Sequence, residues 1–446
     1  MELESKQANR RDFIKGAATV AAASAFGAGF ILKSCSTDRT QVVLPGFLDK
    51  APDGRVLKAG LIGCGGRGTG AAFNFLNAGD NLQITALADV FQDRMDRCRQ
   101  QLKERMNVEV ADEKCFVGFD AYQKVIESDV DVIILATPPF FRPAHFEAAV
   151  RARKHVFLEK PVAVDPVGAR SIMASARMAD AAGLKVVTGT QRHHQRDYLT
   201  TYAHIKSGII GDPLSAQCYW NQRRLWHVNP QPGWNDMEAM LRDWVNWNWL
   251  SGDHIVEQHM HNIDVINWFT GKHPVKAVGF GGRHRRVTGD QYDFFSVDFV
   301  YDDNTHMHSM CRQIDGCANN VSELITGTKG STNCQNSISD LKGDVVWQYE
   351  YPLDENGQPS AQAMKNPYDQ EIINLVAAIR NNTPLNEAED CAVSTLVAIM
   401  GRISAYTGRE VTWEEMMNSG LRLGPEKLAF GPVDIKAVVP VPGTST

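Results

Sequence analysis

Two clusters of residues in this chain have types and spacings suited to chemistry. The first is Gly63–Cys64–Gly65–Gly66–Arg67–Gly68, a G-x-G-x-x-G loop, with Asp89 following 21 positions after Gly68. In such a loop the first glycine permits a tight turn. The second lets the backbone approach a pyrophosphate, and the third lets a helix and a strand pack closely. Unpaired N–H groups at the start of the next helix would face the phosphates. An acid ending the following strand meets ribose hydroxyls and repels a 2′-phosphate, so the pattern predicts NAD rather than NADP. The second cluster is His254–Ile255–Val256–Glu257–Gln258–His259–Met260–His261. On a regular helix, residues 254, 257 and 261 share a face, a stripe that could bind zinc.

A glycine loop has weight only between a strand and a helix. Val56 to Gly63 is a run of β-branched and apolar residues and predicts a buried parallel strand; Thr69 to Ala78 has a helical pattern. Strands are expected over Leu82–Asp89, Asp131–Ala136, His155–Glu159 and Lys185–Thr190, with helices over Pro143–Lys154 and Asp165–Ala182. Strands alternating with helices predict a doubly wound parallel sheet. Its ligands bind beyond the carboxyl ends of the strands, so the loops after residues 63, 89, 137, 160 and 190 should line one crevice.

Glu159–Lys160–Pro161 after such a strand, with the glycine loop, Asp89, the Thr137–Pro138 turn, Ser251–Gly271 and the helical stretch Tyr368–Trp413, resembles the Gfo/Idh/MocA oxidoreductases. The resemblance covers nearly the whole chain after residue 55. It implies an α/β fold: an N-terminal Rossmann doubly wound parallel sheet and a C-terminal α+β domain. The second domain would hold an open, mostly antiparallel sheet that covers the nicotinamide and builds a homo-oligomer, a dimer or a tetramer. It also implies cofactor contacts from Gly63, Gly65, Gly66, Arg67, Gly68, Asp89, Thr137, Pro138, Glu159 and Lys160.

The same resemblance places Lys160 at the substrate. The family's Asp-x-Gly-x-His-x-x-Asp segment maps onto Glu257 to Asp264, with His261 in the histidine place. Glu257 stands for the family aspartate and His259 for the glycine. Oxidising a secondary alcohol moves a hydride to nicotinamide and a proton to a base, and an imidazole titrating near working pH suits the latter. His261 is therefore the expected base. Lys160 would stabilise charge developing on the reacting oxygen, and Glu257 would orient a hydroxyl or the imidazole. Arg192 and His193, after the last predicted strand, are candidates for substrate contact. No metal is expected, because nicotinamide chemistry does not require one.

Six of the nine tryptophans lie between Trp220 and Trp249. Sugar C–H faces stack on aromatic rings, so the segment Gln222–Trp249 is read as a loop covering the substrate. Further strands are expected over Leu214–Trp220, Val275–Arg283, Tyr292–Tyr301 and Thr305–Arg312, with helices over Asp369–Arg380 and Asp390–Tyr406.

Ahead of all this, Arg10–Arg11 precedes an apolar run from Gly16 to Leu32, which resembles a twin-arginine export signal. Cys35 then sits where a lipid-bearing residue would. The expected organisation is a signal over 1–35, a tether over 36–54, an NAD-binding domain over 55–190 and a substrate and oligomer domain over 191–446. The location would be the periplasm or cell envelope, with the twin-arginine machinery as a partner. The 446 residues are 43% hydrophobic, carry a net charge of −6 and hold nine cysteines without a C-x-x-C pair. Nothing there suggests nucleic-acid binding or a zinc ribbon. Three functions fit: dehydrogenation of a sugar or glycoside ring hydroxyl, with C3 the candidate position; a redox-neutral glycoside hydrolase that oxidises, eliminates, hydrates and reduces; and non-catalytic sugar or NAD binding.

Overall fold

A computed structural model describes residues 42–444. The paired arginines, the apolar run, Cys35 and the first part of the tether lie outside the described residues.

Leu57–Ile62 (β1), Leu82–Asp89 (β2), Cys115–Val117 (β3), Val132–Leu135 (β4), His155–Leu158 (β5) and Val186–Thr188 (β6) form one sheet in the order β3-β2-β1-β4-β5-β6. Every pair is parallel. The chain moves outward from β1 to β3, then restarts on the other side at β4, which creates the crevice where ligands bind in such sheets. Both faces are covered, which is why β4 reads as Val-Ile-Ile-Leu with all four residues buried. Alternate residues feed the two layers. Leu57, Ala59, Leu61, Val132 and Ile134 pack with Phe75, Met95 and Leu102 on one side. Ile62, Ile133, Leu135 and Val156 pack with Val125, Phe146 and Ile172 on the other.

The first layer is completed from far along the chain. Helix Pro367–Asn381 lays Ile372, Ile373, Leu375 and Val376 against Leu57, Phe75 and Val132. The described end of the expected tether is docked there too. Ala51 is buried and its N–H donates to Ala78 O at 2.8 Å, while Arg380 Nη1 donates to Pro52 O at 2.6 Å. Gln370 Nε2 reaches Leu48 O at 2.9 Å. The segment is polar and proline-bearing, as a linker would be, but its backbone carbonyls serve as acceptors for the two ends of helix Pro367–Asn381.

The second sheet joins Pro213–Gln222 (β7), Lys276–Gly282 (β8), Phe294–Val300 (β9), His306–Gln313 (β10), Asn320–Gly327 (β11), Gly330–Thr332 (β12), Ser337–Asp340 (β13), Val345–Gln348 (β14) and Val411–Thr412 (β15). Its order is β14-β13-β12-β11-β7-β10-β9-β8-β15. Pairing is antiparallel except between β7 and β10, so the sheet is mixed. Phe295, Val297 and Phe299 alternate into a core closed by helices Met260–Thr270 and Ala388–Thr407. Contact there is close: a Cβ on Gly279 would stand 2.8 Å from Ala405 N. The eight described cysteines are all free. No helix among the described residues is long and apolar enough to cross a membrane.

Candidate active site

The glycine loop joins β1 to helix Gly66–Asn77, and each glycine meets a different constraint. Gly63 has φ +100°, a conformation that L side chains rarely adopt, and its Cβ would lie 2.7 Å from Ala136 C. A Cβ on Gly68 would be 1.8 Å from Gly63 O. Around Gly65 and Gly66 nothing lies within 4 Å of an added Cβ. They therefore face an open cradle at a helix N-terminus, the shape and polarity that a pyrophosphate requires. The crevice above it has a volume of about 620 Å³, and Thr137 and Pro138 form part of its wall. The Thr137 hydroxyl is buried without a protein partner, which leaves it free for a ligand.

Asp89 lines the same crevice. Its Oδ2 accepts from Cys64 N at 2.7 Å and its Oδ1 from Phe91 N at 2.9 Å, so the carboxylate also holds the glycine loop to the end of β2. Burial raises its pKa. Phe91, Arg94, Tyr122 and His145 were missed from sequence and line the crevice as well. The His145 ring stacks on Tyr122 at 4.0 Å, and burial alone holds it down at about 3.

Arg67 and Glu159, both expected at the cofactor, also bind each other. Arg67 reaches the crevice wall, but its guanidinium is bonded to Glu159, to Glu371 at 2.8 Å and to Asn74 at 3.0 Å. Glu159 is buried below the crevice and does not line it. A buried carboxylate needs a cation or several donors, and Arg67 supplies one. The pair ties the glycine loop, the end of β5 and helix Pro367–Asn381 into one unit. Glu371, 304 positions away in sequence from Arg67, could not be foreseen.

Lys160 leaves the end of β5 and points across to the second domain. Its Nζ donates to Glu257 O at 2.6 Å and lies 3.6 Å from Glu257 Oε1, with both side chains nearly buried. Glu257 is not on a regular helix. Ile255–His259 forms a π-helical turn before helix Met260–Thr270, so the equal-face spacing assumed for residues 254, 257 and 261 does not apply. His254 turns into the core on Asp253 at 2.9 Å. Among the described residues no three His, Cys, Asp or Glu side chains group to hold a metal.

His261 is buried and stacks on Trp220, with centroids 5.8 Å apart and planes at 21°. Burial first, then the Lys160 ammonium and the Arg192 and His193 charges, hold its pKa well below the usual imidazole range. It is therefore a neutral ring beside an ammonium, able to accept a proton. Arg192 lies over the Trp220 ring at 5.8 Å and pairs with Glu323 at 3.0 Å, so it stands at the edge of this group. His193 is held off it: Nε2 meets Asp264 Oδ2 at 2.7 Å and the ring stacks on Trp268 at 4.2 Å. Burial alone would lower its pKa, but Asp264 outweighs that and raises it. His193 thus supports the helix that carries His261.

The tryptophan-rich segment is placed differently from expectation. Trp226 and Trp244 line the nucleotide crevice, not the Lys160 end. Trp249 packs on Phe140 at 5.0 Å and Trp234 sits under Arg242 at 4.9 Å. Of the six, only Trp220 meets His261. Clustering of indoles identified a binding or packing surface but not its ligand.

A family model described as "Oxidoreductase family, NAD-binding Rossmann fold" matches residues 57–188, and a second, the GFO/IDH/MocA C-terminal domain, matches 198–333. Together they span more than half the chain. An inositol 2-dehydrogenase of Acidothermus cellulolyticus is 27% identical over 241 residues, 54% of this chain and 61% of that protein. A 2,7-anhydro-N-acetylneuraminate hydratase of Escherichia coli is 24% identical over 228 residues, 51% of this chain and 53% of that one. The chain thus spans about half to three-fifths of these curated relatives. Scyllo-inositol dehydrogenase of Lactobacillus casei, solved with NAD(H) and scyllo-inositol, superposes with a TM-score of 0.59 at 21% identity, covering 80% of this chain and 99% of that one. GenD2 from gentamicin A biosynthesis, solved with NAD, gives 0.61 at 17% identity over 81% and 98%. At these identities the superpositions establish the fold.

Proposed function

This chain belongs to the Gfo/Idh/MocA oxidoreductase family, and from that premise we propose that it moves a hydride between NAD and a ring hydroxyl of a cyclic polyol, sugar or glycoside. The observation that carries the reading is the convergence of Lys160, Glu257 and His261 at the end of β5, beside a crevice whose glycine cradle suits a dinucleotide.

Gly63–Gly68, Asp89, Thr137 and Pro138 would hold the cofactor, which when bound supplies the hydride acceptor. Lys160 is fixed twice by Glu257, so its remaining N–H can be aimed at a substrate oxygen without loss of rotamer freedom during the reaction. As the hydroxyl loses its proton, the ammonium opposes the negative charge on oxygen. His261 is uncharged at rest and can take that proton, although burial and the neighbouring cations make it a weaker base than an exposed imidazole. Trp220 stacks on the imidazole and so fixes its orientation, and it adds an apolar face of the kind that sugar C–H groups favour.

The test is to load the purified protein with NAD and add inositols, pyranoses and glycosides while following nicotinamide absorbance. Reduction with at least one cyclic polyol or sugar, lost in Lys160→Met, supports the proposal. No reduction across the panel, with NAD demonstrably bound, overturns it. C3 of a pyranose is the first position to examine in any product.

A redox-neutral variant of the same chemistry is the second reading, favoured by the likeness to a hydratase. Release of phenol from an aryl glycoside without net NADH would select it. The Arg10–Arg11 segment supports export of the folded protein by the twin-arginine route, with Cys35 as the acylation point. The uncovered face of the second sheet, where Phe280 is 68% exposed, is the surface proposed for a second copy.

A further inference from the structure

The crevice has two walls, and only one belongs to the Rossmann domain. Facing Asp89, Phe91 and Arg94 are Trp226, Val228, Leu241, Arg242 and Trp244, all from the segment between β7 and the π-helical turn. We propose that this segment is part of the dinucleotide site, with Trp226 and Trp244 forming the outer wall of the adenosine end.

Its position is heavily constrained for a stretch whose regular structure is three short helical pieces, Asp236–Arg242, Trp244–Asn246 and Asn248–Ser251. His227 Nδ1 lies 3.2 Å from Asp243, Val228 N donates to Asp243 Oδ1 at 2.9 Å, and Asn246 Nδ2 donates to Trp226 O at 3.3 Å. Trp226 and Trp244 meet edge to face at 6.0 Å. Across the crevice, Arg242 makes a two-pronged pair with Asp93, at 2.9 and 3.2 Å, and lies 4.0 Å over the Phe91 ring. Phe91 and Asp93 open the helix that follows Asp89, which places the contact at the ribose end. The C-terminal stretch then straps the segment down: Met237 N donates to Gly431 O at 3.1 Å, Gly431 N to Asn235 Oδ1 at 3.0 Å, and Phe430 packs on Phe91 and Phe119 at 5.9 and 5.3 Å.

Despite all this anchoring, Trp226 remains 45% exposed. A large indole held rigidly at the lip of a polar crevice, with part of its surface uncovered, is a preformed stacking platform. A purine is the flat apolar group that a dinucleotide brings to this end. Loss of one base–aromatic contact weakens binding roughly 10- to 100-fold.

The inference rests on the nucleotide reading but not on turnover, so its test reads binding alone. NADH and reduced nicotinamide mononucleotide, which lacks the adenosine half, are titrated by nicotinamide fluorescence against the full chain. Trp226→Ala/Trp244→Ala should weaken NADH roughly 10- to 100-fold and leave the mononucleotide within twofold. Asp93→Arg, at an exposed position that a folded chain tolerates, sets two arginines face to face and should weaken NADH alone; adding Arg242→Asp should restore it. Unchanged NADH binding in both variants, or equal weakening of both ligands, would overturn the proposal. If the alanine pair fails to fold, Asp93→Arg with its restoring partner decides alone. Tight NADH binding without any substrate activity would sink the proposed function and leave this inference standing.

Discussion

Gly65→Ala and Gly68→Ala are the same change three residues apart, and the structure predicts opposite outcomes. Gly65 has φ −72° and ψ −177°, which alanine adopts without strain, and its Cβ meets no protein atom within 4 Å. Stability should therefore hold, or rise by about 0.4–1 kcal/mol through a less flexible unfolded chain. The methyl instead occupies the cradle. Displacing a pyrophosphate from two charge-assisted hydrogen bonds, at about 1.5–3 kcal/mol each, costs about 3–6 kcal/mol. That is a loss of roughly 10²- to 10⁴-fold in NADH affinity. At Gly68 the methyl would stand 1.8 Å from a backbone oxygen, which no side-chain rotation relieves. There the expected outcome is a fall in thermal midpoint from an overpacked strand–helix contact, costing about 1–3 kcal/mol. The assays are fluorescence titration with NADH and thermal unfolding of the ligand-free proteins. If Gly65→Ala bound NADH within threefold of the parent, the phosphates would not lie on this loop. If Gly68→Ala melted like the parent, the close-packing argument would fail.

Other outcomes follow from the same geometry. Lys160→Met should lower kcat by roughly 10²- to 10³-fold, the usual effect of removing one preorganised donor, while NADH binding stays near normal; comparable kcat would remove Lys160 from the mechanism. Glu159→Gln should weaken NADH binding only modestly yet lower thermal stability, because it loosens Arg67 and the glycine loop rather than a direct contact; a pure affinity loss would contradict that assignment. His145 is buried and neutral with a pKa near 3, against 6.5 when exposed. A depressed histidine gives stability that is lost as pH falls below the unfolded value, here across about pH 6.5 to 3. Between pH 7.5 and 5 this amounts to about 2 kcal/mol. His145→Phe should therefore show a smaller acid loss in urea unfolding than the parent, by about that amount. An identical pH slope would place the ring in contact with solvent.

The parallel sheet was legible because both its faces are buried, so strands such as Val132–Leu135 are unbroken apolar runs. Helix Gln92–Met106 was not, since only Met95, Cys98 and Leu102 are buried in a highly charged sequence. Strand β11 was hidden by Glu323, a buried acid at a core position that is satisfied by Arg192, Tyr198 and Asn262. The family resemblance singled out Lys160, Glu257 and His261, but the geometry that brings them together was not legible in the sequence. The π-helical turn that sets Glu257 against Lys160 leaves no mark in the spacing of side-chain types. The ion pair of Arg67 with Glu159 was hidden for a related reason: a motif gives residues their places, not their partners. The tryptophan segment shows the same limit, because its ligand is decided by Arg242 reaching Asp93 across 149 positions of sequence.

The most direct measurement follows the hydride itself. NAD-loaded protein is given a ring-deuterated inositol or pyranose that it turns over, and the nucleotide is then released and weighed. One deuterium on the nicotinamide in the parent, and none after Lys160→Met/His261→Ala, is the expected result. Substrate consumed with unlabelled nucleotide, or equal labelling in the double variant, would contradict the account.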